Sequence, residues 1–460
     1  DSAVALLRDA LKRKEEVAEG VGDGDDGVAA VERAVEVVAA MASASSVKEE
    51  LAHGSGRCGA ALPSLTALAS SSKGSDPVAY GLSCVFANLT VTNDELRRRH
   101  FADKEMDITA EQYDELQRIT KQKAEDDADT DTADLCGARC VKLAMADGVL
   151  ALANLAATEP SPLTSEHLAA TLVALAKDEN LRGTLVQQGG FKAAVALSEA
   201  GGDRSDKCRI FAGHAAAKIL VTTDPNRLTD AQRLAGIRPL LWLCKQLKVN
   251  DLVHFEALLG LTNLLSLGET ARRRVAANKG IHALEYLQFS DNDEVQRAAT
   301  EALTNMVPDR DMIAHLLKPD KIKLWLAFAQ EDDEADGGKG DVQLARAAIG
   351  CLAMATEGDA DVARAIADNK GKAALDHVLR SKEPSLVHRG AYCLANCLHD
   401  RKARLKLNDD DALMAALTQA CDDLKKHTNA GLLDALKEAA ECLARTDWHD
   451  QPSDDEGEEG

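Results

Sequence analysis

The chain has 460 residues, with 54 Lys and Arg against 76 Asp and Glu and a formal charge of −22, so nucleic acid and acidic membrane surfaces are repelled overall and basic protein surfaces are favoured partners. Aromatic residues make up 3% while Ala and Leu dominate, which favours helices over sheet. The eleven cysteines lie scattered in apolar helical runs without the spacing of a disulfide framework, and no run of eighteen apolar residues occurs, so the expectation is a soluble protein of the reducing cytoplasm with no membrane partner.

At the N-terminus, "DSAVALLRDALKRKEE" lacks a signal-peptide pattern and an initiator Met, which is compatible with a fragment. Residues 1–91 read as helices, with "GVGDGDDG" near the start as a loop. Within it "GDGDDG" matches the letters of a dinucleotide fingerprint, but it follows a helical run rather than a strand, and its aspartates would repel a pyrophosphate. Residues 92–134 are charged and lack any repeat pattern, so they read as an insertion, partly helical and partly mobile. "DADTD" at 127–131 opens like a calcium loop, yet Thr132 and Ala138 stand where Gly and Glu are needed. Residues 135–448 are a run of apolar helices with short Gly- or Asp-marked breaks, interrupted by the acidic loop "EDDEADGGKGD" at 331–341, and residues 449–460 form a disordered acidic tail.

Inside 135–448 a period emerges. Asn263 in "FEALLGLTNLL" and Asn305 in "VQRAATEALTNMV" are 42 residues apart, and Met354 and Asn396 are separated by the same 42. Lys177 and Lys218 hold this place earlier and Arg445 holds it at the end. Gly280 and Gly371 each follow the ladder position by 17, and Gly190 and Gly236 correspond earlier. Each glycine is expected to end a short first helix in a left-handed conformation and open a second. Pro319 and Asp411 replace it in two units. "GVLALANLA" begins at Gly148, which places Asn154 on a second helix, outside the Asn ladder. A period of 40 to 47 with three helices per unit predicts an all-α, armadillo-repeat, right-handed superhelical solenoid.

Stacked third helices of this kind align along a concave groove. Four residues before the ladder position stand Leu259, Glu301, Gly350 and Tyr392, and eight before stand Phe255, Arg297, Arg346 and His388. Both sets share roughly one helix face with the ladder. The candidate binding groove is therefore Asn263, Arg297, Glu301, Asn305, Arg346, His388, Tyr392 and Asn396, against the alternative that each is a solvated or intra-repeat contact. Cys136 with Cys140, and Cys393 with Cys397, sit four apart, but no further His or Cys completes a metal site. His214, His254 and His388 lie in no catalytic pattern. No enzyme activity, catalytic residue, metal or cofactor is expected.

"FEALLGLTNLL", "VQRAATEALTNMV", "LARAAIGCLAMAT" and "VHRGAYCLANCL", in this order, with "PVAYGLSCVFANLTV", "LRGTLVQQGGFKAAVAL" and "GIRPLLWL" upstream, resemble the UCS domains, the armadillo-repeat chaperones of myosin. The resemblance runs from about Pro77 to Arg445 and includes the acidic loop at 331–334. It implies a chaperone or co-chaperone that holds the myosin motor domain in its groove and assists folding, stability and actomyosin function, with no ATP site. Animal members of the family carry an N-terminal tetratricopeptide domain that recruits heat-shock protein 90. Its 34-residue pattern is absent from this chain, so either that domain was removed or the protein works without it. The insertion, the longer acidic loop and Met354 depart from the family. The rival reading is a general armadillo adaptor for basic peptides. It suits the acidic charge, but Trp242, Trp325 and Trp448, the only tryptophans, lie off the Asn helices.

Overall fold

The computed structural model describes residues 24–54, 61–72, 77–102, 131–199, 204–331, 340–408, 411–424 and 430–444. Arg445, the tail, and most of the insertion and of the acidic loop lie outside them. The described residues are helical, with no strand among them, and fall into two compact units, residues 1–260 and 261–460.

The first unit opens with α1 (Gly24–Met41) and continues through the triplets α2 (Ser45–His53), α3 (Ala61–Ser71), α4 (Pro77–Leu89) and, after α5 (Asn93–Ala102), α6 (Ala133–Met145), α7 (Gly148–Ala156), α8 (Pro162–Ala176). Next come α9 (Glu179–Gln187), α10 (Gly190–Ser198) and α11 (Asp206–Thr222), then a 3-10 turn at Pro225–Arg227 with α12 (Asp230–Cys244) and α13 (Asp251–Leu265), whose last turn passes into the second unit. There the triplets are α14 (Glu269–Ala277), α15 (Gly280–Leu287), α16 (Asp293–Thr304); α17 (Arg310–Leu316), α18 (Lys321–Phe328), α19 (Val342–Gly358); α20 (Ala360–Asp368), α21 (Gly371–Leu379), α22 (Pro384–His399); and α23 (Arg401–Leu407), α24 (Ala412–Leu424), α25 (Ala430–Ala444). Third helices pack on third helices, α1 on α4 on α8 on α11 in the first unit and α16 on α19 on α22 on α25 in the second. Each unit is therefore an armadillo-like solenoid.

The composition explains the stacking. In α19 the buried face includes Ala345, Ala348, Leu352 and Ala355, and small Ala side chains let neighbouring axes approach while each buried Leu contributes about 1.5–3 kcal/mol. The many Asp-marked breaks are helix caps. Asp309, Asp341, Asp359 and Asp400 each accept backbone N–H groups at the start of α17, α19, α20 and α23, each such cap being worth about 1 kcal/mol.

Three expectations need correction. The helix–helix glycines are not themselves left-handed. The residue before each is, with φ of 58° at Asp147, 56° at Lys279 and 66° at Lys370, and the glycine that follows starts the second helix. Glycine is needed there for space, since a Cβ at Gly148 would lie 2.5 Å from the Leu143 carbonyl oxygen and one at Gly371 would collide with Ile366. In the unit containing Pro319 the same geometry is built by Asp320, at φ 65°, followed by Lys321. Gly236 does not join two helices. It lies inside α12, which begins at a Thr229–Gln232 capping box, and the 3-10 turn stands in for the first helix. Finally, the last four residues of "GVGDGDDG" belong to α1 rather than to a loop.

The far end of the insertion is built into the core. Asp131, its side chain 2% exposed, accepts from Lys48 Nζ and Arg139 Nη2, both at 2.8 Å, and from the Asn93 backbone N–H at 2.9 Å. Lys48 also donates to the Val91 carbonyl and to Asn93 Oδ1, and Arg139 to the Leu89 carbonyl and to Glu49. Both ends of the 92–134 segment are thus held at one buried ionic cluster. Burial pushes the Asp131 carboxyl up, but the hydrogen bonds from Lys48 and Arg139 outweigh it and hold the carboxyl below its usual range.

Candidate binding face of the third helices

All eight sequence-predicted groove residues fall in the second unit, on α13, α16, α19 and α22 or the residue that caps them. Asn305 caps α16, and its Nδ2 donates to the Thr262 carbonyl at 3.2 Å. Asn396, in the last turn of α22, donates to the Ala353 carbonyl at 3.1 Å and to Thr356 Oγ1 at 3.4 Å. Each amide therefore reaches back 43 residues to a carbonyl on the preceding third helix. Bracing and binding are compatible, because an amide has two donor hydrogens and an acceptor oxygen, more than these bonds use. Asn263, Asn305 and Asn396 are all half-buried.

The charged members are more committed than their spacing implies. Arg297 donates to Asp341 Oδ2 at 2.6 Å and to Glu294 Oε1 at 2.9 Å. Its guanidinium thus ties α16 to the cap of α19, and the hydrogen bond to Asp341 raises its pKa. Arg346 is half-buried, and its carbonyl accepts from Arg389 Nη1 at 2.7 Å. Arg389 was not singled out by the repeat register. Its head lies over Gly350, where a Cβ would stand 2.5 Å from Nη1, so the signal for it was a glycine inside "AAIGCLA". Burial and then Arg346 lower the pKa of Arg389, while Glu301 opposes them.

The exposed part of the stripe is apolar and aromatic. Tyr392 is 38% and Met354 42% exposed, with His388 half-buried one turn before Tyr392. Beside Met354, where the ladder lacks its Asn, is a cavity of about 690 Å³ lined by Val307, Pro308, Ile313, Leu317 and the acidic Asp309, Glu357 and Asp359, among others. In the first unit the ladder is ionic instead. Lys218 Nζ lies 2.8 Å from Glu256 Oε1 and His214 Nε2 2.5 Å from Oε2. Burial pushes the Glu256 carboxyl up, but these two partners prevail and hold it low.

No protein-family model matches the chain. The protein unc-45 homolog B of Danio rerio is 28% identical over 422 residues, which cover 90% of this chain and 42% of that protein. The chain is homologous to unc-45 homolog B over most of its length. A solved structure of UNC-45 from Drosophila melanogaster superposes with a TM-score of 0.73 at 25% identity, over 95% of this chain and 52% of that one. The myosin chaperone UNC-45 of C. elegans, solved in complex with an Hsp90 peptide, gives a TM-score of 0.70 at 23% identity over 91% of this chain and 42% of that one, which shows the shared fold. The chain thus spans less than half of the curated relative and about half of the fly structure. Among the described residues no helix is long and apolar enough to cross a membrane.

Proposed function

We propose that this chain is a non-enzymatic, cytoplasmic chaperone of myosin that holds the motor domain against the third-helix face of its second unit. The observation that carries the reading is homology to unc-45 homolog B over 422 residues. It is supported by solved relatives described as a myosin chaperone and as binding and folding muscle myosin. Heat-shock protein 90, whose peptide is bound in one relative, is a proposed partner through a region outside this chain.

The face supplies two kinds of contact. Asn305 keeps one amide hydrogen and its oxygen, and Asn396 its oxygen, for a client's backbone, which carries no side-chain specificity. Tyr392, Met354 and the adjoining cavity offer apolar anchorage, Met being soft enough to adapt to varied client side chains. Of the exposed charged residues lining the cavity, Glu357 favours a basic group and Arg310 an acidic one on the client.

The test is co-purification with a myosin motor domain, for the chain itself and for Tyr392→Ala and Met354→Asp. Both side chains are exposed, so the fold should survive. Loss of binding at an unchanged Tm supports the face. Binding of a basic localisation peptide but not of the motor domain would favour the general adaptor and overturn the proposal.

A further inference from the structure

Away from the third-helix face, three potential ligands meet across a repeat boundary in the second unit. His282 and Glu285 are one turn apart on α15, the second helix of one repeat, and His315 lies in the last turn of α17, the first helix of the next. One ligand atom from each lies within 4.8 Å of the others. His315 Nε2 is 3.1 Å from Glu285 Oε1, and the two imidazole rings stand 5.4 Å apart at 62°. His315 is 4% exposed and its Nδ1 has no hydrogen-bond partner. Such a buried nitrogen calls for an explanation, which a metal supplies if Nδ1, rather than the Nε2 that faces Glu285, is the donor. His282 is exposed and opens the cluster to solvent.

We propose that His282, Glu285 and His315 bind a divalent transition metal, zinc being the best fit. Two imidazoles and a carboxylate suit zinc, whereas calcium and magnesium take oxygen ligands. Three protein ligands leave a fourth position for water or another donor. Zinc ligands at about 2.0–2.2 Å from the metal must close to roughly 3.4 Å from one another, a small adjustment for the exposed His282. Lys321, which pairs with Glu285 Oε1, competes with the metal for the same carboxylate. A bound ion would clip α15 to α17 and so join successive repeats. The sequence reading expects no metal site, because His315 lies 30 residues from Glu285 and only the fold unites them.

The experiment is a titration of the zinc-stripped full chain with Zn²⁺ against a chromophoric chelator, repeated with Co²⁺ for its absorption spectrum. One zinc per chain is expected. Affinity should fall at least about tenfold in His282→Ala and Glu285→Gln, since loss of even an outer-shell partner of a ligand costs about 10–100-fold, and should rise in Lys321→Met. Saturating zinc should raise the Tm of the parent chain but not of His282→Ala. Cobalt should show d–d bands without an intense thiolate charge-transfer band. No zinc binding, equal affinity in His282→Ala, or a thiolate band marking cysteine ligands would each overturn the proposal.

Discussion

Replacing Asn396 by Ala removes donors to the Ala353 carbonyl at 3.1 Å and Thr356 Oγ1 at 3.4 Å, and replacing Asn305 removes one to the Thr262 carbonyl at 3.2 Å. The carbonyls are not orphaned, because Thr356 Oγ1 also donates to Ala353 and the Ser266 backbone N–H donates to Thr262. The cost is therefore the net worth of each bond, about 1 kcal/mol, rather than a full desolvation penalty. Asn305→Ala should lose about 1 kcal/mol and Asn396→Ala about 1–2 kcal/mol. The two sites share no partner and should add, to about 2–3 kcal/mol. For a unit of about 200 residues this is a fall in Tm of roughly 5–10 °C. Differential scanning calorimetry of the single and double variants measures it. A double variant whose Tm stays within about 1 °C of the parent would refute the bracing argument. The same result together with lost motor-domain binding would assign the amides to the client alone. If the amides served a client alone, this double substitution would weaken binding with little change in stability. The two inter-helix bonds change that expectation, and they make Tyr392 and Met354 the cleaner probes of binding.

Two further predictions concern the fold. Gly371→Ala should lower stability by about 1–3 kcal/mol, the usual cost of overpacking, because a Cβ there meets Ile366. Lys370→Gly should leave Tm unchanged or slightly raised, since the left-handed φ of 66° at Lys370 costs about 1–2 kcal/mol for a non-glycine residue, against about 0.5–1 kcal/mol of glycine's chain entropy. Opposite outcomes in denaturant melts would restore the sequence's view of the glycine. Stability should also fall with acid in two stages. His315 has a depressed folded pKa, so the unfolded chain takes up its proton first and stability declines as pH drops below about 6.5. Asp131, Glu256, Glu285 and Asp400, all depressed because their partners outweigh burial, contribute stability that is present above about pH 4.5 and lost as pH falls through their folded values. Urea melts across this range check it, and a flat profile down to pH 4 would contradict it.

The repeat architecture was legible because each third helix needs the same apolar stripe, so Asn263, Asn305, Met354 and Asn396 mark it at whole-repeat intervals. Asn154 was correctly set aside on the same logic, since Gly148 opens a second helix. What sequence could not show was why the glycines recur. Their positions follow the chain, but close approach to Leu143 or Ile366 exists only after folding. Gly236 misled because a 3-10 turn and a longer α12 replace the usual pair of helices. Contacts between distant residues were invisible for a similar reason. Asp131 reads as part of a charged insertion, yet it meets Lys48, 83 residues away, and Arg297 finds Asp341, 44 residues on. The stripe's register placed the candidate face, while the partners that tie up its charges depend on the packing of one repeat on the next.

Heating a myosin motor domain with and without an equimolar amount of this chain, with aggregation followed by light scattering, decides whether the chain acts as a myosin chaperone. The account predicts suppressed aggregation with the parent chain and weaker suppression with Tyr392→Ala and Met354→Asp. Aggregation unaffected by the parent chain, with no complex recovered on co-purification, would contradict it.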